Sequence, residues 1–427
     1  MAGKHRQLLV ALTIVAIVLA TDLNSTEGKA TEKILSSEKR WAKVLVGNGE
    51  WSCNDIRQTV DGGYISVIGI VIPGEGEEIM LLKLDENGRK VWIKKFDTPG
   101  DDYPFCVQQT ADGGFIIVGY TELPGKNIDA WLIKTDENGN EIWNKTFGGK
   151  GYDKGLWVQQ TDDRGYIVAG CTSSYGPGKL NGWVIKTDED GNEIWNKTFG
   201  IKGSYGIFTC IEQTKDGGYI ATGHVKIPPD IWLIKLDKDG NEEWNRTFGE
   251  EIITDHAYCV HQTSDGGYIV AGETHIYAWL IKTNERGEVE WERVFKDWEI
   301  LDGSIGMSVQ QVADGGFVIA GAAKVRPWIR HPFHPFGFVE GWLAKVDKNG
   351  NEEWSRTYCG ISYSIWLFNV QQTSDGGYII GGVGGMADAA DYTDAIIIKT
   401  DSKGRTNLLQ LMLCGIISWL YKGFWSS

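Results

Sequence analysis

Histidine is the scarcest titratable residue in this chain, and its placement is uneven. There are seven. His5 sits near the N-terminus. His224, His256, His275, His331 and His334 fall between strand-like runs, while His261 stands inside one, where comparable runs carry Gln. Imidazoles transfer protons near neutral pH, and several on separate loops can converge on a metal ion. The chain has no paired-cysteine metal motif, no phosphate-binding glycine loop and no serine nucleophile elbow. The expectation is therefore no metal and no cofactor, with the histidines serving a binding surface.

A second group of reactive types lies in one insertion, AAKVRPWIRHPFHPFGFVEG over residues 322–341. Arg326, Trp328, Arg330, His331 and His334 share it with Phe333, Phe336 and Phe338. Aromatic and Arg side chains dominate binding hot spots, and three prolines stiffen the segment against disorder. The same composition also suits a loop folded over its own core. Trp51, Tyr103, Tyr152, Tyr205 and Tyr363 recur just ahead of strand-like runs, beside Asp102, Asp153, Asp255 and Asp302. Such aromatics stack on sugars or on a partner, or plug a channel. A glycosidase needs two facing carboxylates at a set distance, and nothing in the order of residues pairs two of these.

All of these positions hang on a repeat of about fifty residues, a period that signals propellers or arrays. The unit reads QQT-x-DGGYIIVG, a variable stretch, then WLIKTD-ENGNEIWNKTF. Its Gly-Gly turn follows Asp61, Asp112, Asp216, Asp265, Asp314 and Asp375, with Asp163-Arg-Gly as the seventh copy. Its closing Trp recurs at Trp41, Trp92, Trp143, Trp195, Trp244, Trp291 and Trp354. Within residues 101–149, alternation places strands at Cys106–Thr110, Phe115–Gly119, Ala130–Thr135 and Glu141–Phe147, with tight turns after the first and third. Four strands joined to their neighbours make one blade. The seven Trp are expected to pack between blades as structural glue. The two tight turns share one face. The variable loops share the other, and function on a scaffold belongs to its variable loops.

The two series are offset. Trp41 precedes the first Gly-Gly turn, and the last unit, from Asp375, has no closing Trp. The chain thus begins with the last strand of a unit and ends with the first three. A ring gains from that permutation, because the two ends pair and hide their edges. The expected fold is all-β: a seven-bladed β-propeller of four antiparallel strands per blade over residues 39–401, its seventh blade closed by the N-terminal strand beside Ala395–Lys399.

The net charge is −15. With no basic stripe, that excludes a nucleic-acid partner. Lys4, His5 and Arg6 precede an apolar run from Leu8 to Ala20, the pattern of an export signal over residues 1–20. Residues 21–38 read as a polar linker. Residues 402–427 form a mostly apolar tail, and its 408–421 segment suits contact with the propeller or a membrane surface. Of seven cysteines, Cys106, Cys210 and Cys259 occupy one repeat position, the pattern of a small buried side chain. The Asp-x-Asn-Gly turns resemble calcium loops in composition but are too short to wrap a cation.

WLIKTDENGNEIW, with Asp136, Gly139 and Trp143, is similar to the docking motif of quinoprotein-type propellers, in which Asp, Gly and Trp lock successive blades. The whole unit resembles repeats of exported archaeal and bacterial propellers. The spacing is one residue shorter than in the quinoprotein motif and lacks its Thr. The quinone-binding groups do not carry over, since no adjacent Cys pair is present. The resemblance implies the fold and a binding or assembly role. The expected function is an exported or cell-surface scaffold presenting its variable face to a protein or glycan, with Arg326, Trp328, Arg330, His331, His334, His224, His256 and His275 as candidate contacts. The alternative is a lyase, hydrolase or quinoprotein-like enzyme with its site at the channel mouth.

Overall fold

The computed structural model describes residues 40–45, 49–72, 74, 76–123, 125, 127–250, 253–296, 301–325, 339–358, 363–386 and 393–406. The export signal, the linker and the 408–421 segment lie outside the described residues.

Seven four-stranded antiparallel sheets follow one another along the chain. Six are built from consecutive strands, blades 1 to 6. The seventh combines the last three strands with the first, and Trp41–Leu45 pairs antiparallel with Thr393–Thr400, Trp41 opposite Lys399 and Leu45 opposite Ala395. The chain is a seven-bladed β-propeller closed by its N-terminal strand. The second and third strands of each blade are runs of Ile, Val, Leu and Ala, buried on both faces, as in Tyr166–Thr172 and Asn181–Thr187. The outer strands of blades 2, 3 and 4 largely alternate exposed and half-buried residues, whereas the closing strand Trp41–Leu45 has none exposed. First strands of neighbouring blades meet one another and so form the innermost ring.

The conserved words of the repeat each perform a contact. The glycine of the Asp-x-Asn-Gly turn lies flat against the Trp of the preceding blade. A Cβ on Gly139 would sit 2.7 Å from Trp92, and one on Gly191 2.6 Å from Trp143. The same pairing joins Gly88 to Trp41 and Gly404 to Trp354, carrying it across the ring closure. Each Trp also meets the edge or face of the next blade's Tyr or Phe, from Trp41 on Tyr64 to Trp354 on Tyr378. The second Gln of QQT accepts a backbone N–H from the preceding blade's turn in every blade. Gln109 takes Val60 N at 2.9 Å, and Gln58 takes Ser374 N at 2.8 Å over the closure.

The Asp of the Gly-Gly turn has a role beyond the turn. It holds the buried Lys of WLIKTD within its own blade: Lys83–Asp61 2.8 Å, Lys134–Asp112 2.8 Å, Lys186–Asp163 2.9 Å, Lys235–Asp216 3.0 Å, Lys282–Asp265 3.1 Å, Lys345–Asp314 2.7 Å and Lys399–Asp375 2.9 Å. Burial opposes ionisation of Asp112, yet hydrogen bonds from Lys134, Thr110 and Gly114 N–H outweigh it and hold the carboxyl down at about 2. The other tight turn consumes its own carboxylate: Asp136 Oδ1 accepts Asn138 N and Asn140 N.

Candidate functional site

The first strand of every blade carries a β-bulge where it pairs with the second. The extra residue is Asn54, Phe105, Leu156, Thr209, Tyr258, Met307 or Phe368, and each is half-buried, in six blades between buried neighbours and in blade 3 between buried Gly155 and half-buried Trp157. A bulge re-aims a side chain and is favoured beside functional sites. Here it turns one residue per blade toward the central channel. Two residues earlier, nearer the variable face, stand Ser52, Tyr103, Lys154, Ile207, His256, Ile305 and Trp366.

Toward the tight-turn end, the first Gln of QQT accepts the next blade's backbone N–H, as Gln371 does from Gln58 N at 2.6 Å and Gln159 from Gln213 N at 2.6 Å. Blades 1, 4 and 5 depart from Gln. Glu212 keeps the acceptor role toward Gln262 N at 2.7 Å and pairs with His261 at 3.3 Å. Burial opposes the His261 cation, but nearby Cys259 and Glu212 raise its pKa to about 10. Arg57 pairs with Asp55 at 3.1 Å, and its guanidinium lies 5.1 Å from the centre of the Trp157 ring two blades away. Asp55 also accepts Val107 N at 3.0 Å and Asn369 Nδ2 at 2.6 Å, so its carboxylate is fully engaged.

At the variable-face mouth the blade 2–3 wall is aromatic. Tyr103 stacks on Tyr120 with centroids 5.9 Å apart and planes 19° off parallel, and Phe105 packs on both. Lys154 Nζ stands 3.8 Å from the Tyr120 ring centre, 4.9 Å from Tyr152 and 5.9 Å from Phe105. Glu77 accepts the Tyr120 hydroxyl at 2.6 Å and fixes that ring.

The blade 4–5 wall holds titratable groups. His224 and His256 meet edge to face at 4.6 Å. Glu273 takes the Tyr258 hydroxyl at 2.7 Å and lies 3.1 Å from His256 Nδ1. Burial, then the neighbouring His256, push His224 down to about 4, so it is neutral at physiological pH; its Nδ1 is buried without a partner. Burial and Glu273 push the Tyr258 hydroxyl far above its ordinary value.

Of the candidate contacts read from sequence, His224 and His256 are brought together. His275 occupies a left-handed turn, φ 61°, its N–H bonded to Thr254 O, and makes no ring contact with that pair. Arg326, Trp328, Arg330, His331 and His334 lie outside the described residues. Among the described residues no three His, Cys, Asp or Glu side chains gather as a metal cluster. Asp102, Asp153 and Asp255 lie within the first strands rather than ahead of them, and the first two are spent on local folding. Asp102 accepts Thr98 N at 2.6 Å, Asp153 accepts Gly149 N at 2.8 Å, and both are fully buried, as is Asp255. Lys154, Tyr120, Phe105, Tyr258 and Glu273 were not singled out by sequence reasoning, and only the bulge register shows which of them face the channel.

No family model matches the chain, and no curated protein does. Solved structures do. The chain is similar to BBS1N in complex with ARL6DN (8% identity, TM-score 0.46, covering 86% of this chain and 97% of that one). It is similar to a polysaccharide lyase of family PL25, an ulvan lyase (11%, 0.48, 87% and 99%). It is also similar to Drosophila Plexin A in complex with Semaphorin 1b (7%, 0.44, 85% and 88%). The likeness is one of overall shape and says nothing of activity.

Proposed function

We propose that the protein is an exported or cell-surface binding propeller that engages a protein or glycan at the variable-face mouth of its channel. The carrying observation is the mouth itself. Over an otherwise uniform scaffold, stacked aromatics and a lysine line one wall and a His–Tyr–Glu group the other. Export through residues 1–20, membrane contact through 408–421 and kinship with quinoprotein-like propellers belong to the same reading. They rest on the basic-then-apolar N-terminus, the apolar tail and the Asp/Gly/Trp words.

A partner captured from the native extracellular milieu tests this. Tyr152→Ala, and separately Trp328→Ala with Arg330→Ala and His334→Ala, should each weaken capture while leaving the melting temperature unchanged. Capture that survives both changes refutes the face assignment.

One observation favours a second reading, an enzyme. His256 and Tyr258 around Glu273, with the neutral imidazole of His224 against His256, form a set competent for proton transfer. Turnover on a polysaccharide panel that is abolished by Tyr258→Phe would establish it.

A further inference from the structure

We propose that the ligand of the mouth is an anionic saccharide, whose ring lies on the exposed Tyr152 beside the Tyr103–Tyr120 stack and whose carboxylate or sulfate is taken by Lys154. The proposal rests on the binding reading above and names the ligand class of that site.

Three features of the mouth carry it. First, the Lys154 ammonium makes no hydrogen bond and no ion pair among the described residues; its neighbours are ring faces at 3.8, 4.9 and 5.9 Å. A half-buried ammonium held only by cation–π contacts keeps its donors for a ligand. In a chain of net charge −15, an ammonium with no carboxylate paired to it among the described residues is a contact for an anion. Second, the aromatic cage is already filled by the chain's own ammonium, which excludes an external cation from it. Tyr103 and Tyr120 lie nearly parallel, Tyr120 fixed through Glu77 and Tyr103 beside Asn54 at 3.5 Å. With Tyr120 covered by Lys154 and Tyr103, the open ring beside this rigid stack is Tyr152, 40% exposed, whose face fits the flat C–H side of a sugar. Deeper in the channel a second cation, Arg57, lies over Trp157 and repeats the pairing of aromatic ring and positive charge. Third, the channel wall offers nothing to an extended peptide. All seven first strands are bulged, and several of their outward N–H groups are capped by side chains, as Val107 N is by Asp55 and Gln262 N by Glu212. Strand addition needs an open, regular edge.

The test is calorimetric titration of the full chain with short uronate oligosaccharides, sulfated oligosaccharides, their neutral counterparts and an acidic peptide. Parent protein should bind one acidic series, more weakly as salt rises, and the neutral counterpart by at least about tenfold less, the size of one charge-assisted contact. Which acidic series binds separates carboxylate from sulfate. Lys154→Gln should erase the preference, Lys154→Arg should keep most of it, and Lys150→Gln, on the exposed loop nearby, should change nothing. If Lys154→Gln misfolds, the salt dependence and the Arg variant decide. Equal binding of acidic and neutral sugars, or an acidic preference that survives Lys154→Gln, overturns the anionic assignment and leaves the binding site standing if Tyr152→Ala still weakens it. Binding of the acidic peptide with no saccharide bound overturns the glycan assignment. No binding by any probe overturns this inference, and capture of a native partner then decides the broader reading independently.

Discussion

Single residues in this propeller do paired work across a boundary. Gly139 is required twice: its φ of +74° is left-handed, and a Cβ there would meet the Trp92 ring at 2.7 Å. Gly139→Ala should therefore destabilise by about 1–3 kcal/mol, read as a lower urea midpoint, whereas alanine at Gly113, which has open space, should cost only its φ strain of about 1 kcal/mol. The Lys–Asp staples set the acid limit. Asp61, Asp112 and Asp216 are held down at about 2 in the fold. A carboxyl with a depressed folded value contributes stability above its unfolded pKa of about 4 and loses it as pH falls through the folded value. The melting temperature should hold down to about pH 4 and drop toward pH 2, where buried lysines lose their counter-charges. A flat profile across that window would show that the staples contribute nothing.

Elements decide which residues see the channel. Plain alternation from Gln159 back along the first strand of blade 3 would put Trp157 and Gly155 on the channel side and turn Lys154 inward. The bulge at Leu156 reverses this, and Lys154 reaches the mouth. Deleting Leu156 should bury the ammonium and cost several kcal/mol, while Leu156→Ala keeps the register and should cost about 2 kcal/mol or less. Equal melting temperatures for the two variants would contradict this account of the strand. The bulge also explains how far the sequence could be read. Strand order, turn positions, the tryptophan spacing and the closing permutation follow from local words, since each depends on residues a few positions apart. The lysine–aspartate staple joins positions 17 to 31 apart by number and was hidden because each half already had a reading, as a turn or as a strand. The aromatic cage of Lys154 was hidden for a different reason: it draws on two blades and on a one-residue shift that leaves no mark in composition. His224 and His256 were read as loop residues, but they stand inside the strands Tyr219–Val225 and Asp255–Gln262, where pairing sets His256 opposite Glu273, a partner the sequence did not reveal.

At the scale of the whole molecule, the Trp–Gly, Trp–Tyr or Phe and second-Gln contacts repeat around the ring and continue across the joint between its ends, where Asn369 adds a bond of its own. Trp41 lies on Gly88 and Tyr64, Gln58 holds the turn at Ser374, and Asn369 reaches Asp55. Closure supplies the outer strand of the seventh blade. The most direct measurement is equilibrium urea unfolding of the chain lacking residues 39–48 beside the parent. Loss of the closing strand should give a lower midpoint and a broader, less cooperative transition. A truncated chain that unfolds at the parent's midpoint with the parent's slope would contradict the closed ring.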